Sequence, residues 1–293
     1  LFFCSLFLYS AIRLFDGVSI LHIALALIGS VLGALAKATT WPAFVLAFGC
    51  FWLWRIYSKR TLSVTPTIVV IAIGVVTLAL VFSWTHHAAI AKQAAPYGAY
   101  FTSEALSAWN YGTFSARVSP ELWFKLLPTR MIPESIGNYW IVLLFAPLLI
   151  KNKRENILKS LLLVTLFLSP ILLFTNLHIV HNYNLTANGV FLIAAAALLL
   201  GAMIANHHRI LALFAISVII AGQLNFFYSY RYIYTNRDVA SEPGYQTGIK
   251  MKEFLEQDRS LLVFGLEWSS EAHYYSQRKG IAFATRFDFD QVS

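Results

Sequence analysis

The chain is poor in charge: Asp, Glu, Lys and Arg make up 12% of its 293 residues, against about 25% in ordinary soluble domains. With 58% of residues hydrophobic, the composition excludes a typical water-soluble globule and fits a bilayer as solvent. Cysteine is scarce as well. Cys4 and Cys50 both lie in apolar runs, where a small polarisable side chain packs well and no disulfide framework is implied. There is no initiator methionine and no basic leader. The chain opens as Leu1-Phe2-Phe3-Cys4, inside a hydrophobic segment, and reads as a fragment whose N-terminal portion is missing. Ionisable groups are nearly absent from the middle of the apolar runs, and Pro147 and Pro170 are the only prolines well inside them. That scarcity argues against a secondary transporter, which uses repeats, broken helices and midplane ionisable groups.

What the chain does have is apolar runs of spanning length. Stretches of roughly 17 to 25 apolar residues predict a partial span at about 1–12 and full spans at about 19–36, 41–57, 66–84, 138–150, 157–175, 187–205 and 210–227. The run at 138–150 is short, with Tyr139 and Trp140 as an interfacial anchor. The expected fold class is a polytopic α-helical membrane protein. Residues 1–227 form the transmembrane domain, with about seven full spans plus one partial and an extracytoplasmic loop at 85–137; residues 228–293 form a small, incomplete extracytoplasmic α/β domain.

A net charge of +8 raises the question of a nucleic-acid partner, but the basic residues cluster between apolar runs rather than along one polar face, so no nucleic acid is expected. Topology accounts for them. Arg13 lies in the first connection, Arg55, Lys59 and Arg60 at the third, Lys151, Lys153, Arg154 and Lys159 at the fifth, and Arg209 at the seventh. Of the even connections, the second carries Lys37 alone and the sixth, 176–186, has neither Lys nor Arg. Cytoplasmic loops retain Lys and Arg. One alternation therefore satisfies the chain and puts 85–137, 176–186 and the tail from Tyr228 on the outer side of a bacterial inner (plasma) membrane.

The outer loop 85–137 mixes Trp109, Tyr111, Phe114, Trp123 and Phe124 with Lys92, Arg117, Lys125 and Arg130, as expected for helices lying at the interface beside membrane lipids. Ser119 reads as an N-cap, with Pro120 at the first helical position. In the tail, 248–255 reads as a helix, 261–264 as a buried strand and 269–277 as a second helix capped by Ser269.

Three features could carry chemistry. Lys37 ends an apolar helix on the outer side, before Thr39, Thr40 and Trp41. Its ammonium either snorkels to the interface or, with help from Arg117 or Arg130, pairs with the phosphate of a lipid-linked substrate. The run Asn176-Leu177-His178-Ile179-Val180-His181-Asn182-Tyr183-Asn184 offers imidazoles and amides suited to a sugar or phosphate; its plain alternative is a solvated polar hairpin. His178 and His181 lack Cys or carboxylate companions, as do His86 and His87, so no metal site is expected from them. In the tail, Gly265 follows the strand and reads chiefly as packing. Glu104, Glu121 and Glu134 are the carboxylates of the outer loop, and none sits in a distinctive motif.

Gly33-Ala34-Leu35-Ala36-Lys37-Ala38-Thr39-Thr40-Trp41-Pro42, His181-Asn182-Tyr183-Asn184, and the tail from Gly265-Leu266-Glu267-Trp268 through Tyr274-Tyr275-Ser276-Gln277-Arg278-Lys279-Gly280 together resemble membrane glycosyltransferases of the GT-C fold. More narrowly they resemble the protein mannosyltransferase and aminoarabinose transferase-like group (glycosyltransferase family 39-like), with Asn184 where that family has a second Tyr. The resemblance implies a GT-C-like helical bundle that moves a sugar from a polyprenyl-phosphate carrier to a glycan, lipid or protein acceptor. It further implies an inverting displacement on the outer side, with no nucleotide. The family's base is a carboxylate in the first outer loop, expected upstream of Leu1, so the catalytic residue is unassigned. Lys37, Arg117, Arg130, His178, His181 and Tyr183 are the expected substrate-binding residues. No cofactor is specified, and a divalent metal requirement stays open. The rival readings are a transporter and a non-enzymatic membrane scaffold.

Overall fold

Helix α1 (Phe2–Arg13) lies against α2 (Ile20–Ala36) because α2 presents glycine where the backbones meet. A Cβ on Gly29 would stand 2.5 Å from Phe7 N and 2.8 Å from Phe3 O, and Gly33 faces Cys4 Sγ in the same way. Small residues one turn apart let apolar helices approach where no water-driven force pushes them together. Ser19 starts α2 by accepting from His22 N at 3.2 Å. A computed structural model of the chain describes residues 1–94, 98–151, 153–181, 185, 187–232, 235–264 and 269–283.

Within the first compact unit, Leu1–Phe227, α3 (Trp41–Lys59) and α4 (Val64–Gln93) follow. Pro42 sits in the first turn of α3, where its missing N–H leaves no bond unmade. A buried relay ties the three helices: Trp41 Nε1 donates to Ser30 Oγ at 3.2 Å, and Thr77 Oγ1 donates to the same oxygen at 2.9 Å. Arg55 donates to the Phe15 carbonyl at 2.7 Å and lies over the Phe15 ring.

Helix α4 is apolar all round yet only 22% of its most apolar window is buried, with Ile68, Ile71, Val75 and Phe82 exposed. A helix of that kind needs lipid around it. Its 30 residues also run beyond the expected span end at 84. The segment after α4 then folds into α5 (Ser107–Tyr111) and α6 (Phe114–Arg117), followed by a π-helical stretch at Glu121–Met131 and α7 (Ile132–Ile136). Ser119 Oγ accepts from Leu122 N at 3.2 Å, the cap expected there. Pro128 cannot donate inside the stretch, and its own carbonyl is taken by Trp140 Nε1 at 3.1 Å.

The run read as a span at 138–150 is instead a 3₁₀ helix, Trp140–Leu149, bent by 81° from Glu121–Ile136. Ten 3₁₀ residues at a rise of about 2 Å each reach about 20 Å, short of the roughly 30 Å hydrocarbon core. The bend is made at Gly137, whose φ of +85° suits glycine. Helices α8 (Lys153–Leu173), α9 (Thr175–Val180), α10 (Gly189–Ala205) and α11 (Arg209–Phe226) complete the unit, α10 packing on α8 and α11. The core joins Phe7, Leu14, Phe44, Met131, Phe167 and Phe191.

Among the described residues, three helical stretches suffice by length and composition to cross a membrane, Val64–Gln93, Arg154–Leu173 and Arg209–Tyr232, or four if the bent pair forms one span. Ile20–Ala36 and Gly189–Ala205 are apolar helices of 17 residues each, at the short end of the roughly 17 to 25 that a span takes. Trp41–Lys59 is long enough at 19, but its indoles, Arg55 and Lys59 make it too polar. The chain is thus a mainly helical protein with several helices suited to a bilayer.

The second unit, Tyr228–Ser293, contains α12 (Pro243–Phe254), β1 (Leu261–Phe264), α13 (Glu271–Ser276) and β2 (Gly280–Phe283). The strands pair in parallel, Leu261 opposite Gly280 and Phe264 opposite Phe283, as parallel neighbours joined by a helical crossover do. The first tail helix starts and ends earlier than expected, Ser269 Oγ accepts from Glu271 N at 3.3 Å, and β2 was not anticipated. Buried Arg278 clamps the unit, donating to the carbonyls of Leu255 at 2.6 Å, Glu256 at 2.8 Å and Ser276 at 3.0 Å. The expected turn at Gly265 lies outside the described residues.

Candidate functional site

Lys37 closes α2 in a non-helical conformation, which turns the chain sharply into α3: its carbonyl accepts from Thr40 N at 3.0 Å. The half-buried ammonium feels the charge of the Glu134 carboxylate, on the first turn of α7. Burial holds Lys37 below the ordinary lysine range, and the Glu134 carboxylate pulls it back up. Among the expected residues, Lys37, Arg130 and His178 come together, since both cations act electrostatically on the imidazole. Glu134 is the residue that sequence reasoning passed over. Its signal was modest: a single acid in Met131-Ile132-Pro133-Glu134-Ser135-Ile136, where Met131, Pro133 and Ile136 are buried.

Residues 176–181 do not form the solvated hairpin. They belong largely to α9, and His178 is 0% exposed. Its Nδ1 lies 2.9 Å from the Phe174 carbonyl; because a carbonyl only accepts, Nδ1 carries the proton and Nε2 is the bare acceptor. Burial pushes the imidazole down to about 4, the Phe174 bond opposes this, and the charges of Lys37 and Arg130 lower it further. His178 is therefore neutral at pH 7.

That depression has a consequence for stability. The unfolded chain takes up its proton near the ordinary value of 6.5, the folded one only near 4, so the folded state loses ground as pH falls through that window. At pH 5 the loss is about 2 kcal/mol. Thermal unfolding in detergent between pH 7.5 and 5 is expected to show this drop in the wild type and a smaller one in His178→Phe. Equal drops in the two proteins would contradict it.

The two expected arginines are used for helix ends. Arg130 donates to the Ile179 carbonyl at 2.9 Å and also to the His178 carbonyl, satisfying the last turn of α9. Arg117 donates to the carbonyls of Leu172 at 2.8 Å and Tyr111 at 3.0 Å, joining α8 to α5. His181 sits edge-on to Trp109 with ring centroids 6.5 Å apart, and Asn176 Nδ2 donates to the Trp109 carbonyl at 2.8 Å. These contacts dock α5 against α9 and the residue that follows it. Tyr183 lies outside the described residues.

Several buried polar atoms have no hydrogen-bond partner among the described residues. They include His178 Nε2, Thr39 Oγ1, Thr40 Oγ1 and both amide atoms of Asn188. Asn188 and Thr40 are 0% and 1% exposed. Asn188 enters beside α7, because its neighbour Gly189 abuts Ser135: a Cβ there would lie 2.6 Å from Ser135 Oγ. Ser135, next to Glu134, also lines an open groove of about 290 Å³ with Ile136, Ile193, Leu200, Ile220 and Gln223. The groove walls are almost wholly apolar. Among the described residues no group of three or more His, Cys, Asp or Glu converges to hold a metal.

No family model matches the chain, and no curated protein or solved structure matches it either.

Proposed function

We propose that this chain is a membrane glycosyltransferase that moves a sugar from a polyprenyl-phosphate donor to an acceptor on the extracytoplasmic side. The observation that carries the reading is the convergence of Lys37, Glu134 and buried His178, with an apolar groove starting at the residue after Glu134. A lipid-linked sugar needs those same elements: an apolar track for the chain, a cation for the phosphate, and hydrogen-bonding groups for the hydroxyls. Lys37 neutralises charge that builds on the departing phosphate. Glu134 keeps the ammonium protonated and aimed, and Arg130 fixes α9 so that His178 stays in place.

The test is direct. Full-length protein solubilised in detergent, supplied with polyprenyl-phosphate mannose or aminoarabinose carrying a radiolabelled sugar, is expected to release labelled product to a glycan, lipid A or peptide acceptor. Absence of transfer from every such donor would overturn the reading.

A second reading, a membrane transporter, draws support from the 81° break between Glu121–Ile136 and Trp140–Leu149, since broken helices often frame transport sites. Uptake of labelled sugar into proteoliposomes without covalent transfer would favour it.

A further inference from the structure

We infer that His178 selects the sugar: its Nε2 accepts a hydrogen bond from a hydroxyl of the carrier-linked sugar whose phosphate meets Lys37. This deepens the proposed function and rests on it. The imidazole is fully buried, and its orientation is fixed twice, by the Nδ1 bond to Phe174 O at 2.9 Å and by its backbone N–H bond to the same carbonyl at 3.1 Å. With Nδ1 as the donor, Nε2 presents a lone pair and cannot donate. That atom is sealed from solvent and has no partner among the described residues.

A buried acceptor left without a donor is unfavourable, so the site is complete only when something supplies a hydrogen. The chemistry of that donor is constrained. A phosphate oxygen is an acceptor and is repelled by the lone pair, so the phosphate does not bind there. A hydroxyl fits. So the anion belongs to Lys37 and the neutral polyol to His178, with the buried hydroxyls of Thr39 and Thr40 beside Lys37 as further sugar partners. Because burial, helped by the charges of Lys37 and Arg130, disfavours protonation of the imidazole, the acceptor persists over the physiological pH range.

Arg130 acts through His178 as a positioning residue. Its guanidinium holds the carbonyls of His178 and Ile179, which fixes the last turn of α9 and the height of the ring.

The experiment compares binding of polyprenyl-phosphate mannose and of bare polyprenyl phosphate to the full chain in nanodiscs. Wild type is expected to bind the sugar-bearing carrier roughly tenfold more tightly than the bare one, as a hydrogen bond to a buried acceptor supports. His178→Phe is expected to abolish that ratio while leaving affinity for the bare carrier unchanged. His178→Gln, whose amide oxygen can reach the Nε2 position, is expected to recover part of it. A ratio that persists in His178→Phe overturns the inference alone. Failure of the wild type to bind either carrier overturns it together with the proposed function. Should His178→Phe not fold, ring-¹⁵N-labelled wild type gives the answer: the His178 Nε2 resonance shifts with the sugar-bearing carrier and not with the bare one. An unmoved resonance overturns the inference.

Discussion

Replacing Lys37 with Ala is expected to lower sugar transfer by roughly a hundredfold or more, chiefly through kcat. The ammonium stands at the end of α2, half-buried and held beside Glu134, and the other two cations expected for the phosphate donate to backbone carbonyls of helix ends. Removing Lys37 also takes a positive charge away from the field of the Glu134 carboxylate, which weakens attraction for an anionic substrate. Lys37→Arg keeps the charge with a different donor geometry and is expected to retain more activity than Lys37→Ala. The double change Lys37→Ala with Glu134→Gln removes both charges and is expected to recover part of the binding but not the rate. Transfer assays on the four proteins, with thermal unfolding as a folding control, measure this. Undiminished transfer in Lys37→Ala would place the phosphate elsewhere.

The largest effect on the fold is expected from Gly137→Ala. Gly137 has φ +85° and ψ 166°, a region open essentially to glycine, and an alanine held there costs about 1–3 kcal/mol in backbone strain. Its Cβ would also stand 2.4 Å from Gln223 N and 2.6 Å from Gly222 C. Those atoms belong to the backbone of α11 and cannot swing aside as a side chain would. Overpacking of that kind adds about 1–3 kcal/mol more. The 81° turn from α7 into the 3₁₀ helix depends on this close approach, and Asn138 N donates to the Gly222 carbonyl at 3.2 Å beside it. A sharp fall in melting temperature and in yield of folded protein is expected. Gly201→Ala is the matched control: nothing lies within 4 Å of its Cβ position in α10, and Ala is favoured over Gly in a helix by about 1 kcal/mol. Equal melting temperatures for the two variants would rule out the packing argument.

Some of this was legible from local pattern. The apolar runs foretold helices α1 to α4, α8, α10 and α11, and Ser119 announced the start of the π-helical stretch. The strand at Leu261–Phe264 could be read from its run of apolar residues. Lys37 stood out because a lone cation at the end of an apolar helix is rare. The helix count was less legible, because hydropathy measures composition and not conformation. Residues 138–150 are apolar enough for a span, yet Pro147 cannot donate within the helix and Gly137 turns the chain before it. Strand β2 was missed for a related reason: four residues, Gly280–Phe283, become a strand only by pairing with Leu261–Phe264.

The roles of the polar residues divided along the same line. The sequence by itself determined the helical, largely apolar character of the chain, the alternation of its basic clusters, and the candidacy of Lys37 and of the histidine-rich run. Periodicity, caps and charge counts depend on near neighbours, so one chain suffices to read them. Only the tertiary structure decided that Glu134 faces Lys37, that Arg117 and Arg130 spend their donors on helix ends, and that His178 is buried with Nε2 left as an acceptor. Each of those outcomes depends on groups distant in sequence meeting in space, where burial and a shared local field set what a side chain can do.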